Sequence, residues 1–246
     1  MTAIGRVVVI IQARMGSTRL PGKVLMTVLD KPLLGYLIER LSRAKLVDEI
    51  VIATTENSLD DVIEKFCINS KISCYRGSED NVLSRYYDAS IRFKANYVVR
   101  ICSDSPLVDP IILDRMIQSF FNNECDYLSN TINQTYPLGM NIEVFSQQAL
   151  KKSYLNHSET YESEHVTPYI YMHPELFNIC QEHLNKDYSF LRLTVDENKD
   201  FILIKSIIER MYLVNTNFGL EDIIQEYIKD PDLFSINSGI VQKTIN

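Results

Sequence analysis

The sequence predicts an α/β fold: a single domain over residues 1–246, with a mostly parallel sheet, helices on both faces and a small β/α excursion over residues 126–185. Two observations carry this prediction. Buried-strand patterns alternate with amphipathic helix patterns four times through residue 121, and such alternation builds parallel sheets covered on both faces by crossover helices. The first apolar run also empties directly into a basic, Gly- and Ser-containing loop, the place where open α/β sheets hold ligands. A chain of 246 residues can bury one substantial core, in keeping with one domain.

The elements follow in order. Residues 7–11, all Val or Ile, form a run typical of a strand buried on both faces. Leu33, Leu34, Leu37, Ile38 and Leu41 recur at helical spacing, and Pro32 sits where a first helical turn tolerates proline. Residues 50–54 read as a second buried strand. A helix then opens at Ser58, with Asp61 in a capping-box position and Leu59, Val62, Ile63 and Phe66 facing inward. A strand over 72–75, a helix over 80–93, a strand over 97–101 and a helix from Asp109-Pro110 to residue 121 complete the alternation. From residue 126 the pattern changes. Residues 140–145 alternate apolar and polar as a half-exposed strand does, a helix begins near Ser146, and a Tyr-, His- and Glu-rich segment fills 154–171. Residues 191–195 return as a strand ending in Asp196, followed by a helix after Asn198 and another over 220–228.

A net charge of −7 argues against a generic nucleic-acid or membrane-surface binder, so neither partner is expected. No apolar stretch is long enough for a membrane span. Cys67, Cys74, Cys102, Cys125 and Cys180 are odd in number and scattered, resembling neither a disulfide framework nor a zinc site. That usage fits a reducing cytoplasm.

The loop after the first strand reads Gln12-Ala-Arg-Met-Gly-Ser-Thr-Arg-Leu-Pro-Gly-Lys23. It has the chemistry of a polyphosphate cradle: backbone N–H groups at Gly16 and Ser17 to face phosphate oxygens, and Arg14, Arg19 and Lys23 to supply charge. It is not a Walker loop, because the gap from Gly16 to Gly22 is one residue too long and Val24 replaces the metal-binding hydroxyl. The alternative is a solvated basic loop; three cations beside a strand end in an acidic chain favour phosphate.

Asp104 follows a predicted strand, and Asp196 ends another. Two carboxylates at strand ends facing a triphosphate suit magnesium, which takes oxygen ligands and often one or two carboxylates plus substrate phosphates. Each also reads as a cap of the helix that follows it. Ser103-Asp104-Ser105 stands where a sugar-nucleotide-dependent glycosyltransferase often carries Asp-x-Asp, which tilts away from glycosyl transfer.

Together these residues resemble the cytidylyltransferases that activate acidic sugars such as Kdo, sialic and pseudaminic acids, most closely the SpsF-like branch. The resemblance covers roughly residues 5–210 and is most specific in the opening loop. It continues in residues 77–87, 100–109, 136–145, 164–169 and 193–197. It implies a Rossmann-like fold of the nucleotide-diphospho-sugar transferase (GT-A) type. It further implies Mg2+-dependent transfer of CMP from CTP to a sugar or sugar-acid-like acceptor, with pyrophosphate release, for surface polysaccharide or glycoconjugate synthesis by a cytoplasmic homodimer. By that resemblance Arg14, Gly16, Ser17, Arg19 and Lys23 hold the CTP phosphates, and Gly77 and Arg85 help form the nucleotide pocket, with Arg76 or Arg85 nearby. Asp104 and Asp196 bind magnesium, and these two with Arg19 and Lys23 form the catalytic set. Arg100, Tyr136, Gly139, Asn141, Glu143, Glu164 and His165 face the acceptor. Leu138 and Asn141 depart from the branch pattern, where both positions are commonly acidic.

The residues themselves speak to the acceptor. Between Asn130 and Cys180 there is no arginine, and the lysines are the adjacent Lys151 and Lys152. A carboxylate ligand normally wants a bidentate arginine. An excursion offering Tyr136, Tyr161, Glu143, Glu164 and His165 therefore suits a hydroxyl-rich ligand better, unless Arg100 or Arg192 reaches in from the sheet. His165 reads equally as a packing or capping histidine, and Tyr161 and Tyr169 as core-lining. Two rivals stand beside this reading: the same fold with another nucleotide or a phosphate or phosphonate acceptor, and a catalytically silent nucleotide-binding module.

Overall fold

The computed structural model describes residues 5–242. The first apolar run is strand β1 (Val7–Gln12), with residues 7–11 fully buried. The basic loop then leads through a small ribbon, β2 (Thr27–Val28) and β3 (Lys31–Pro32), into helix α1 (Leu33–Leu41). The alternation continues with β4 (Glu49–Thr55), α2 (Asp61–Ser70), β5 (Ser73–Gly77), α3 (Val82–Arg92), β6 (Tyr97–Cys102) and α4 (Pro110–Asn122). The excursion comprises β7 (Tyr127–Ser129), β8 (Glu143–Ser146), α5 (Gln147–Asn156), α6 (Thr160–His165), α7 (Pro168–Tyr171) and β9 (Ile179–Gln181). Helices α8 (Asn198–Met211), α9 (Leu220–Lys229) and α10 (Pro231–Phe234) follow.

The seven main strands form one sheet in the order β5-β4-β1-β6-β8-β7-β9. β1 pairs in parallel with both β4 and β6, and β5 adds in parallel to β4, as helical crossovers require. β8 alone runs against its neighbours, antiparallel to β6 and β7. Successive residues of β1 feed opposite faces: Val7, Val9 and Ile11 pack with α1, α4 and α8, while Val8 and Ile10 pack with α3, α5 and α7. The C-terminal ends of β1 and β6, adjacent and parallel, therefore bring the basic loop and the Asp104 turn to one edge.

Four expectations need correction. Helix α2 starts later than Ser58: Asn57 caps a short 3-10 turn, Ser58–Asp60, and Leu59 and Val62 face solvent, Leu59 at 65% exposure. Asp60 turns inward instead, and the helix buries Ile63 and Cys67 fully and Phe66 in part against the core. Residues 143–145 are buried on both faces, because β8 lies between two strands and Glu143 finds its partners inside. Residues 191–195 form no strand of the sheet; one isolated bridge joins Leu138 to Arg192, and the segment serves to brace the Asp104 turn. Finally, Cys125 and Cys180 are disulfide-bonded, with Cα atoms 6.0 Å apart. They are remote in sequence but meet where β9 pairs with β7, so scatter along the chain concealed the pair.

Candidate active site

The loop after β1 folds around one carbonyl. Met15 O accepts from the N–H groups of Ser17 (2.9 Å) and Gly22 (3.0 Å), while Met15 N donates to Asp60 Oδ1 (2.6 Å). Asp60 is itself held by the Thr55 hydroxyl. Gly22 adopts a left-handed conformation, φ +71°, that glycine takes without strain, and opens the 3-10 turn Lys23–Leu25 that buries Lys23 and Val24. The Ser17 N–H is thus spent on closing the loop rather than left for a phosphate, and Gly16 lies outside the pocket lining. Arg14, Ser17, Arg19 and Lys23 do line it, with Gln12 and Thr18.

At the pocket's centre Lys23 Nζ lies 2.9 Å from Asp104 Oδ2 and 2.7 Å from Asp196 Oδ1. Arg19 reaches Asp196 Oδ2 at 3.0 Å and Glu197 at 3.6 Å. The two aspartates are spaced by backbone as well, since Val195 N (2.8 Å) and Thr194 Oγ1 (3.1 Å) both donate to Asp104 O. Burial alone would pull the Lys23 ammonium down, but Asp104 and Asp196 outweigh it and hold its pKa above the ordinary lysine value. Burial likewise pushes Asp196 up, and Lys23, Arg19 and Arg192 together bring it below the usual carboxylate value.

A divalent cation fits this donor set. Two carboxylate oxygens converge on the point that Lys23 Nζ occupies, so an ion held there would take the place of the ammonium, and oxygen-only ligation completed by water and phosphate is the habit of magnesium. Among the described residues no group of three or more His, Cys, Asp or Glu side chains gathers to hold a metal unaided. Asp104 and Asp196 would therefore hold the ion only together with substrate oxygens.

The wall beyond β1 comes from the β5–α3 turn, with Glu79, Asp80, Val82 and Arg85. Arg85 is 2% exposed; it donates to Ser78 O at 2.8 Å, and its Nε, like the buried Oε1 of Gln12, has no partner among the described residues. Burial lowers the Arg85 pKa. Gly77 is a packing glycine outside the lining: a Cβ there would lie 3.0 Å from the Tyr75 ring. Arg76 clamps the β4–α2 turn through Thr55 O and Asn57 O and pairs with Asp61 and Glu64.

The remaining wall is α6, whose Thr160, Glu164 and His165 line the pocket with Cys102 and Ser103. Burial lowers the His165 pKa, favouring the neutral imidazole, and burial raises the Cys102 thiol to about 11. The other expected acceptor residues lie outside the lining. Arg100 and Glu143, opposed on β6 and β8, pair with each other, and Glu143 Oε1 also accepts from Tyr127 and Thr167, at 2.6 Å each. Tyr136 is buried on the other face of the sheet, its hydroxyl accepting from Arg115. Gly139, at φ +99°, lets the chain pass against the Leu193 backbone, and Asn141 accepts from Gln134 at 3.4 Å.

Sequence reasoning missed Asp60, Gln12 and the support behind Asp196. Asp60 stands just before a helix, and nothing in its neighbours signals that it reaches back across the sheet edge to Met15. A polar Arg192 between Leu191 and Leu193 was the one available signal of a buried ion pair.

Comparisons with known proteins identify the family and the fold. The family described as cytidylyltransferase matches residues 8–226. The spore coat polysaccharide biosynthesis protein SpsF of Bacillus subtilis is 38% identical over 210 residues, covering 82% of this chain and 85% of that protein. An uncharacterized protein of Methanocaldococcus jannaschii is 37% identical over 243 residues, 97% of each chain. A cytidylyltransferase structure from Leptospira borgpetersenii superposes with a TM-score of 0.90 at 33% identity, covering 98% of this chain and 100% of that one. A CMP:2-keto-3-deoxy-manno-octonic acid synthetase complexed with CTP shares the fold, with a TM-score of 0.64 at 16% identity over 83% of this chain and 99% of its own.

Proposed function

This chain belongs to the cytidylyltransferase family, a nucleotidyltransferase fold that uses CTP, and from that premise we propose Mg2+-dependent transfer of CMP to a hydroxyl-rich, sugar-type acceptor with release of pyrophosphate. The observation that carries the proposal is Lys23 held between Asp104 and Asp196 at the adjoining ends of β1 and β6. Asp104 and Asp196 would hold the magnesium, which supplies charge neutralisation on the phosphates when bound. Lys23 and Arg19 exchange carboxylate partners for phosphate oxygens, and Arg14 adds a further cation. The acceptor hydroxyl attacks the α-phosphorus and gives its proton to solvent, the bond from the α-phosphorus to the oxygen bridging it to the β-phosphate breaks, and the cations meet the charge growing on the departing pyrophosphate. Gln12 and Arg85 line the pocket beside these cations and would face the nucleoside end.

The excursion supplies the acceptor wall in this reading. Arg100 is spent on Glu143, and Arg192 on Asp196 and Asp200, so neither arginine is free to read a sugar carboxylate. Glu164, His165 and Thr160 suit hydroxyl groups. The polysaccharide role of SpsF supports a pathway building surface glycans. A cytoplasmic homodimer completes the proposal: among the described residues no helix is long and apolar enough to cross a membrane, and Leu155 and Met172 leave apolar surface exposed on the excursion. Sedimentation of the native protein tests the dimer.

Thermal denaturation with magnesium and CTP, UTP, ATP or GTP in turn tests the nucleotide half, since a ligand at a hundredfold its Kd stabilises by about 2.7 kcal/mol. CTP alone should raise the midpoint; equal shifts with all four would sink base selectivity. Pyrophosphate release with neutral sugars against sugar acids then tests the acceptor, and no release with any acceptor would favour a silent module. Arg19→Ala and Lys23→Met should each lower kcat about 10²–10³-fold if they act as charge-stabilising donors.

A further inference from the structure

Asp196 uses its two oxygens differently. Oδ1 accepts from Lys23, which also bonds Asp104, while Oδ2 accepts from Arg192 Nη2 at 3.0 Å and forms an ion pair with Arg19 at 3.0 Å. Arg192 is itself buried and locked. Its Nε lies 2.8 Å from Asp200 Oδ1 and its Nη2 3.1 Å from Asp200 Oδ2, and Asp200 has no exposed surface. Asp200 Oδ2 also accepts from the backbone N–H groups of Asp196 and Glu197, 3.0 Å each, at the start of α8.

The outermost layer of this arrangement comes from the end of the chain. Asn237, buried after α10, donates from Nδ2 to Arg192 O (3.0 Å) and to Asp200 Oδ1 (2.8 Å), and Gln242 Oε1 accepts from Arg192 Nη1 at 2.6 Å. The cap of α8 is the box that Glu197 and Asp200 form between them. The additional step, from Arg192 to a pocket oxygen of Asp196, has no role in the cap. An aspartate's terminal torsion is broad and roughly two-fold, so its orientation is set by whatever holds its oxygens.

We propose that Arg192, Asp200 and Asn237 are positioning residues for Asp196: by holding Oδ2 from behind, they present Oδ1 beside Asp104. The C-terminal segment from Asn237 to Gln242 is thereby a working part of the cation-binding edge, although none of it lines the pocket. This rests on reading Asp104 and Asp196 as a divalent-cation pair.

The test is Mn2+ binding, standing in for Mg2+, followed by electron paramagnetic resonance on the full chain with CTP present. Asn237→Asp keeps the shape but removes both donations, and Arg192→Lys keeps the charge but loses the fork. Each should weaken Mn2+ binding about 10–100-fold, the usual effect of removing support from a metal ligand, with the far-ultraviolet circular dichroism retained. Gln242→Ala, at the exposed end of the arrangement, should give a smaller weakening in the same direction and does not threaten the core. Folded Asn237→Asp and Arg192→Lys proteins with unchanged Mn2+ affinity would overturn the positioning role. Should the two core variants not fold, unchanged affinity in Gln242→Ala overturns the part given to the C-terminal segment. Absence of Mn2+ binding by the unaltered protein would instead overturn the cation pair itself, and the positioning role with it.

Discussion

Lys23 keeps its proton although buried, because two carboxylates face it, and the whole pocket is arranged around that balance. His165 shows the opposite case. Burial, reinforced by Arg100, favours its neutral form against the pull of Glu164 and Glu143, so its pKa in the folded protein lies below the ordinary 6.5. The unfolded chain therefore binds the proton first, and stability is lost as pH falls below 6.5 and through the lower folded value. His165→Gln should lose less stability than the unaltered protein between pH 7.5 and pH 5.5 in urea denaturation. Parallel losses would show that the imidazole is not held neutral. Gly139 is constrained by both conformation and space: φ is +99°, and a Cβ would lie 2.5 Å from Leu193 C. Gly139→Ala should destabilise by at least about 1 kcal/mol in urea denaturation. It should also lower turnover, because Thr194, next along, braces Asp104.

Helix starts carry much of the architecture. Asp109 caps α4 by accepting from Ile111 N at 2.8 Å, as the Asp-Pro pair foretold. Its other oxygen accepts from the buried Leu220 N at 2.7 Å, at the start of α9, so one carboxylate fastens two helices 111 positions apart. Asp109→Ala should lose about 1 kcal/mol for the cap and about 1–3 kcal/mol for the stranded Leu220 donor. Urea denaturation checks this, and a loss below 1 kcal/mol would show that water replaces the carboxylate at α9. The mistaken inward assignment of Leu59 and Val62 has the same origin. Periodicity locates an apolar stripe, but which stripe turns inward here depended on Asp60 reaching Met15 and Thr55 across the sheet edge.

At the scale of the molecule, the sheet sets the site by bringing β1 and β6 side by side, and the excursion closes one wall. The Cys125–Cys180 disulfide staples that excursion near its base, closing a loop with a sequence separation of 55. Cys180→Ser, or reduction, should lower stability by about 2–4 kcal/mol in urea denaturation, the usual value for a loop of this order. No change on reduction, with five titratable thiols in the denatured protein, would show that the pair is open in solution. That outcome would agree with a reducing cytoplasm, where disulfides are rare.

The sequence by itself determined the alternation of strands and helices, the parallel half of the sheet and the basic loop, because these depend on local periodicity and on residues adjacent in the chain. It also placed Lys23, Asp104 and Asp196 among the chemical residues. Only the tertiary structure decided that Lys23 lies between the two aspartates, that Arg100 is spent on Glu143, that Tyr136 belongs to the core, and that Arg192, Asp200 and Asn237 stand behind Asp196. The physical reason is that a buried polar group must find its partner wherever the fold brings one, and such partners lie 43 to 173 positions away in the pairs Arg100–Glu143 and Lys23–Asp196. Local patterns carry no record of that distance.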